Sequence, residues 1–113
     1  MNLLITGSCG HIGSYVAENV HKIKKIKKTF LVDNIKSNSF CSLFNLKKNN
    51  NLKFYLRNVD EQNSLNDFKN IKYVIHLASM TNAEKSFGKK NEMYKNNIDC
   101  LKNVIKFCIK NKA

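Results

Sequence analysis

The sequence predicts an α/β fold built on a parallel sheet, and three observations lead there. Short apolar runs alternate with segments of helical period along the chain. Three of the four glycines, Gly7, Gly10 and Gly13, fall in one loop between the first apolar run and the first helical segment. An acidic residue, Asp33, closes the second run 20 residues after Gly13.

The elements follow in order. Leu3-Leu4-Ile5, ending at Thr6-Gly7, reads as a buried strand. Ile12, Val16 and Val20, with Ala17 and Ile23 widening the stripe, predict an amphipathic helix over about 12–24. Thr29 to Val32 is a second strand. A small helix is expected around Phe40, Leu43 and Phe44. Leu52, Phe54 and Leu56 alternate as a third strand does. Leu65 and Phe68 suggest one or two helical turns capped by Asn63 or Ser64. Tyr73 to Ala78 is a fourth strand. Tyr94, Ile98, Leu101, Ile105 and Cys108 define a last helix over about 91–110. About four strands and four helices thus alternate, which implies right-handed crossovers between parallel strands.

Composition narrows the function. The 113 residues suffice for one domain with a modest core. No apolar run approaches the roughly 18 residues of a membrane helix. Met1 to Ile5 lacks the basic and apolar regions of a secretory signal, so a cytoplasmic location and no membrane partner are expected. The net charge is +12, yet 19 of the 20 basic residues are Lys, scattered along the chain, and only Arg57 could offer a guanidinium fork. That pattern describes a solvated basic surface better than a nucleic-acid site, and no nucleic-acid partner is expected. Cys9, Cys41, Cys100 and Cys108 form no Cys-x-x-Cys pair and no zinc-ligand spacing, so no metal is expected and the thiols should be reduced. Cys9 is expected to be exposed in the glycine loop, with redox sensing there weighed against simple loop filling.

The loop Thr6-Gly7-Ser8-Cys9-Gly10-His11-Ile12-Gly13 carries the chemistry. Gly7 permits a tight turn, Gly10 lets backbone approach a pyrophosphate, and Gly13 lets the helix pack closely. The helix start supplies free N–H groups and a partial positive charge, with His11 and Ile12 offering backbone. Asp33 suits a ribose 2′-hydroxyl and would repel a 2′-phosphate, which favours NAD; Lys36 leaves an opening for NADP.

These residues resemble the extended short-chain dehydrogenase/reductases, and within them the NAD-dependent epimerase/dehydratase family acting on nucleotide sugars. The likeness runs from Leu3 to about Ile109. Asp33-Asn34-Ile35, with Ser37 to Ser39 behind it, is similar to the family's segment around the adenosine ribose. Asn58-Val59 falls where the family has an Asp-Ile pair near the adenine. His76-Leu77-Ala78-Ser79 resembles the strand end beside the nicotinamide, and Tyr94-x-x-Asn97-Ile98 the Tyr-x-x-Asn-Val whose Asn supports the cofactor site. Asn58 departs from the family's acid, since an amide donates as well as accepts. Cys100 replaces a small Gly, and Lys90 stands where Pro is common.

The resemblance implies a Rossmann-type, doubly wound sheet of order 3-2-1-4, incomplete here, with residues 1–113 as the N-terminal part of the NAD-binding domain. It implies NAD as cofactor, a nucleotide-sugar substrate for the full-length enzyme and a homodimer. The chemistry implied is hydride transfer between a sugar hydroxyl and NAD, followed by rearrangement, elimination or re-reduction of the ketone. The family's Tyr-x-x-x-Lys is absent: Tyr15, Tyr55, Tyr73 and Tyr94 are followed four residues on by Asn19, Val59, Leu77 and Ile98. No residue of this chain is therefore expected to be catalytic. His76 reads as a packed imidazole rather than a base, and Ser79 and Thr81 as substrate contacts or strand caps. A non-catalytic dinucleotide sensor or scaffold, or a remnant of a decayed gene, stands as the alternative.

Overall fold

The computed structural model describes residues 1–36, 39–43, 46, 51–80 and 90–113. The expectations at Ser37, Phe44 and Thr81 lie outside the described residues. The strands are β1 (Asn2–Thr6), β2 (Lys28–Asp33), β3 (Leu52–Leu56) and β4 (Ile71–His76). They form one parallel sheet in the order β3-β2-β1-β4. The fold class and strand order are those the sequence implied.

Side-chain alternation divides the core between the two faces of the sheet. Leu3, Ile5 and Leu31 pack with Ala17 and Val20 of α1 (His11–Asn19) and the 3-10 turn behind it. Leu4 and Val32 point the other way, to Cys100, Val104 and Phe107 of α2 (Lys90–Asn111). Helices on opposite faces are what a doubly wound sheet requires.

The helices differ from expectation in detail. Among the described residues two are α-helices, while Val20–Lys22 and Ser39–Leu43 are 3-10 segments. The expected helix over 65–68 is a series of i→i+3 turns, at Asn58–Glu61, Glu61–Ser64, Asn63–Asn66 and Leu65–Phe68. Anchoring replaces helical hydrogen bonds there. Leu65 and Phe68 are buried, and Arg57 donates to both Asp67 carboxylate oxygens, at 3.2 and 2.7 Å, and to the Ser64 carbonyl. β4 starts at Ile71 and ends at His76, so Leu77 and Ala78 lie in the following loop.

The phase of α1 also differs. Gly13, Ala17 and Val20 face inward, whereas Ile12 and Ile23 are exposed. The reason is Gly13: a Cβ there would collide with the Gly7 carbonyl oxygen and the Ser8 Cα. That contact sets the rotation of the helix, and residues four and seven further on follow it inward.

Candidate cofactor site

The carboxyl ends of four parallel strands meet at one edge of the sheet, where open α/β sheets bind ligands. β1 delivers Thr6, fully buried, into the glycine loop. Gly7 turns with φ +70°, and a Cβ on it would lie 2.5 Å from the Leu77 carbonyl carbon and 2.6 Å from the Ala78 nitrogen. The loop therefore rests directly on the β4 exit. It is stitched to β2 as well: Ser8 N–H donates to the Val32 carbonyl at 3.2 Å, and Cys9 N–H to Asp33 Oδ2 at 2.9 Å.

Gly10 caps α1 without a side chain, and the first helical bond runs from Ser14 N–H to the Gly10 carbonyl at 2.9 Å. The N–H groups of His11, Ile12 and Gly13 precede that bond and have no intrahelical acceptor. A Cβ on Gly10 would meet only the Gly7 carbonyl oxygen, at 3.4 Å, and its φ of −68° suits any residue. Among the described residues nothing crowds a side chain there.

Asp33 uses both carboxylate oxygens on backbone, Oδ2 on Cys9 N–H and Oδ1 on Ile35 N–H at 2.8 Å. Each oxygen retains acceptor capacity for a hydroxyl. Asn34 Oδ1 accepts from Lys36 N–H at 3.1 Å. Ile35 takes φ +50°, a conformation β-branched residues seldom adopt, and so holds the turn that aims Asp33.

On the other flank, Thr6 Oγ1 lies 2.7 Å from His76 Nδ1, with the Leu77 and Ala78 N–H groups at 3.3 and 3.4 Å from the same oxygen. The hydroxyl accepts from backbone, and its bond with Nδ1 takes its direction from the imidazole tautomer. Burial pushes the His76 pKa below its usual value. This is the packed imidazole expected from the sequence. Ser79 is exposed, and Asn97 holds the next residue on both sides: its Oδ1 accepts from Met80 N–H at 2.7 Å and its Nδ2 donates to the Met80 carbonyl at 3.3 Å.

Asn58 and Val59 follow β3, joined to the rest by Arg57 N–H donating to the Asp33 carbonyl at 3.0 Å. Val59 is 4 % exposed and its side chain belongs to the core, so only its backbone could serve a ligand.

Cys9 corrects an expectation. It is buried, not exposed, and burial, aided by the Asp33 charge, raises its pKa to about 11. A thiol so protonated is a poor redox sensor. Cys100 and Cys108 pack in or against the core, as expected of small hydrophobes. Asn103 was not singled out from the sequence, and Thr6 and Ile35 were read there only as parts of their motifs, with no role for the Thr6 hydroxyl or the Ile35 backbone. Thr6 was legible, since it is the hydroxyl that ends β1 beside the His that ends β4. Ile35 carries no sequence signal for its backbone conformation. Among the described residues there is no group of His, Cys, Asp or Glu able to hold a metal ion, and no helix long and apolar enough to cross a membrane.

The fold and this edge define a dinucleotide-binding α/β module. The model of the NAD dependent epimerase/dehydratase family matches residues 3–113. The chain belongs to that family, whose members are enzymes using NAD. It is 34 % identical over 103 residues to a dTDP-D-glucose 4,6-dehydratase of Dictyostelium discoideum, covering 85 % of this chain and 23 % of the relative. It superimposes on UDP-N-acetylglucosamine 4-epimerase from Methanobrevibacter ruminantium with TM-score 0.80 and 25 % identity, over 98 % of this chain and 34 % of that one. The fold alone is shared with DesIV, a dTDP-glucose 4,6-dehydratase from Streptomyces venezuelae solved with NAD, at TM-score 0.88 and 15 % identity, over 100 % and 37 % of the two chains. The chain thus spans under a quarter of that curated relative and just over a third of these structures.

Proposed function

We propose that residues 1–113 form the N-terminal, NAD-holding part of a nucleotide-sugar epimerase or dehydratase. The observation that carries this reading is the Cys9 N–H to Asp33 Oδ2 bond, which brings the phosphate-type loop and the ribose-type acid together at one edge of the sheet. Gly7, Gly10 and Gly13 leave room for the pyrophosphate, and the His11 and Ile12 N–H groups receive it. Asp33, with Asn34 beside it, takes the adenosine ribose, and Asn58 and Val59 flank the adenine. Leu77, Ala78 and Ser79 line the nicotinamide side, where Asn97 fixes the backbone. Bound there, NAD would accept and return a hydride from a sugar hydroxyl. This chain's own residues bind and orient it.

Calorimetric titration tests the reading. NAD should bind, NADP about tenfold or more weakly, and Asp33→Ala should lose the preference. A folded chain that binds neither dinucleotide overturns it. A non-catalytic dinucleotide sensor, which would bind NAD without turnover, is the second reading. Tyr-x-x-x-Lys in the transcript beyond the Ala113 codon would exclude it. A nucleotide-sugar substrate and a homodimer belong to this proposal. So does a cytoplasmic location, which suits four unpaired cysteines.

A further inference from the structure

Charge is divided between the two edges of the sheet. Helices α1 and α2 each run back from the carboxyl edge, where the cofactor site lies, to the amino edge, where the strands begin. Lysines scattered in the sequence are gathered there by the fold. Lys24, Lys25 and Lys27 lie between the 3-10 turn behind α1 and β2, Lys28 opens β2, Lys72 is the second residue of β4, and Lys112 follows α2. All six are exposed. Hydrogen bonds join these segments. Lys27 N–H donates to the Met1 carbonyl at 2.7 Å, and Asn2 pairs with Lys28 on one side and Ile71 on the other. Lys72 Nζ donates to the Lys112 carbonyl at 3.4 Å, which ties the start of β4 to the end of α2.

The acidic side chains concentrate at the other edge. Asp33 ends β2, Asp60 and Glu61 lie in the turn after β3, and Glu92 and Asp99 lie in the first half of α2. Glu18 stands one turn before Lys22. Among the described residues the ion pairs are Arg57–Asp67 and Lys95–Asp99, so none neutralises a lysine of the amino edge. Apolar side chains stand exposed among these lysines: Met1 before β1, Ile23 before Lys24, and Ile109 in the last turn of α2. Ammonium groups around exposed aliphatic side chains suit the boundary between headgroups and acyl chains of an anionic bilayer. A nucleic acid is better matched by guanidinium forks, and Arg57, the one arginine, lies past the carboxyl end of β3.

We propose that the amino edge of the sheet is a docking surface for an anionic membrane, with its lysines on the lipid headgroups and Met1, Ile23 and Ile109 entering the acyl boundary. The dinucleotide site then faces away from the bilayer. No helix of the described residues is long and apolar enough to cross a membrane, and lying on one needs no such helix. The surface is independent of the cofactor reading.

Flotation of the full 113-residue chain with vesicles tests this, because it separates vesicle-bound protein from self-assembled protein. At about 100 mM salt the chain should float with vesicles of phosphatidylserine and phosphatidylcholine, stay behind with phosphatidylcholine alone, and leave the anionic vesicles at about 500 mM salt. Lys24→Gln, Lys25→Gln and Lys27→Gln together should weaken binding about a hundredfold, at roughly fivefold for each lysine. Lys36→Gln, Lys90→Gln and Lys102→Gln together remove the same charge from elsewhere and should change binding by no more than about threefold. Ile23→Ser should weaken it about tenfold at unchanged charge. The substituted side chains are all exposed, and an unchanged helix signal checks that each variant is folded. A native chain that does not float with anionic vesicles overturns the proposal. Equal losses in the two triple variants overturn it too, because net charge alone would then act. A chain that leaves the vesicles for single-stranded RNA and ignores Ile23→Ser carries a nucleic-acid surface instead, which also overturns it. Each of these failures leaves the cofactor reading intact.

Discussion

A methyl group added at Gly7 and one added at Gly10 meet different surroundings. At Gly7 it would strike the Leu77–Ala78 peptide on a backbone already at φ +70°. Gly7→Ala should therefore cost about 3–5 kcal/mol and lower the thermal midpoint sharply, whatever ligand is present. At Gly10 the nearest atom is 3.4 Å away. Gly10→Ala should leave the midpoint within about 0.5 kcal/mol of native stability while weakening NAD about tenfold or more. Equal stability losses in the two variants would show that Gly10, too, serves only the fold. His76 gives a second expectation at this scale. Its folded-state pKa lies below the unfolded value of 6.5, so below that pH the unfolded chain binds more protons. Stability should be intact above about pH 6.5 and decline as the pH falls toward the folded-state value. His76→Gln should flatten that part of a stability profile read from urea melts at successive pH. The glycines and Asp33 were legible because their chemistry is local. The buried state of Cys9 was not, because it depends on β2 and the 39–43 segment closing over the loop; Ser42 Oγ reaches the Cys9 carbonyl at 2.9 Å.

Element by element, strands read more truly from the sequence than helix faces did. A buried strand has one pattern, whereas α2 is apolar on two sides. Tyr94, Leu101, Ile105 and Ile109 recur at helical spacing, yet they are 70, 44, 49 and 74 % exposed. The face against the sheet is Cys100, Val104 and Phe107, a shift of about one residue around the helix. Periodicity cannot choose between two such stripes. What chooses is polar: Asn97 and Asn103 find backbone partners in the loops after β4 and β3 only when the inner stripe faces the core. Phe107→Ala should accordingly cost about 3–5 kcal/mol, and Ile109→Ala no more than about 0.5, in urea melts. The opposite order would mean that α2 sits with its other stripe inward. The missing helix over 65–68 has a similar cause, since its apolar signal came from two buried anchors, Leu65 and Phe68, that are joined by a single i→i+3 turn rather than by a helix.

For the molecule as a whole, the order β3-β2-β1-β4 leaves β4 paired on one side, to β1. Its other edge has no strand beside it among the described residues, and Tyr73 on it is 48 % exposed. α2 packs against β4, and its outer apolar stripe is exposed as well. An open parallel edge beside an apolar helix face favours association. The net charge of +12 opposes it through repulsion between copies, and salt removes that repulsion. The 113-residue chain should therefore sediment as a smaller species in about 20 mM salt than in about 500 mM, and its melting temperature at high salt should depend on protein concentration. Tyr73→Lys with Ile105→Lys, both exposed, should reduce assembly at high salt without a matching loss of helix signal. A sharp, cooperative melt of a monomer, independent of concentration at both salt levels, would show that this flank is stable uncovered. Incomplete pairing would then not limit the module, and binding by the isolated chain could be measured without regard to protein concentration.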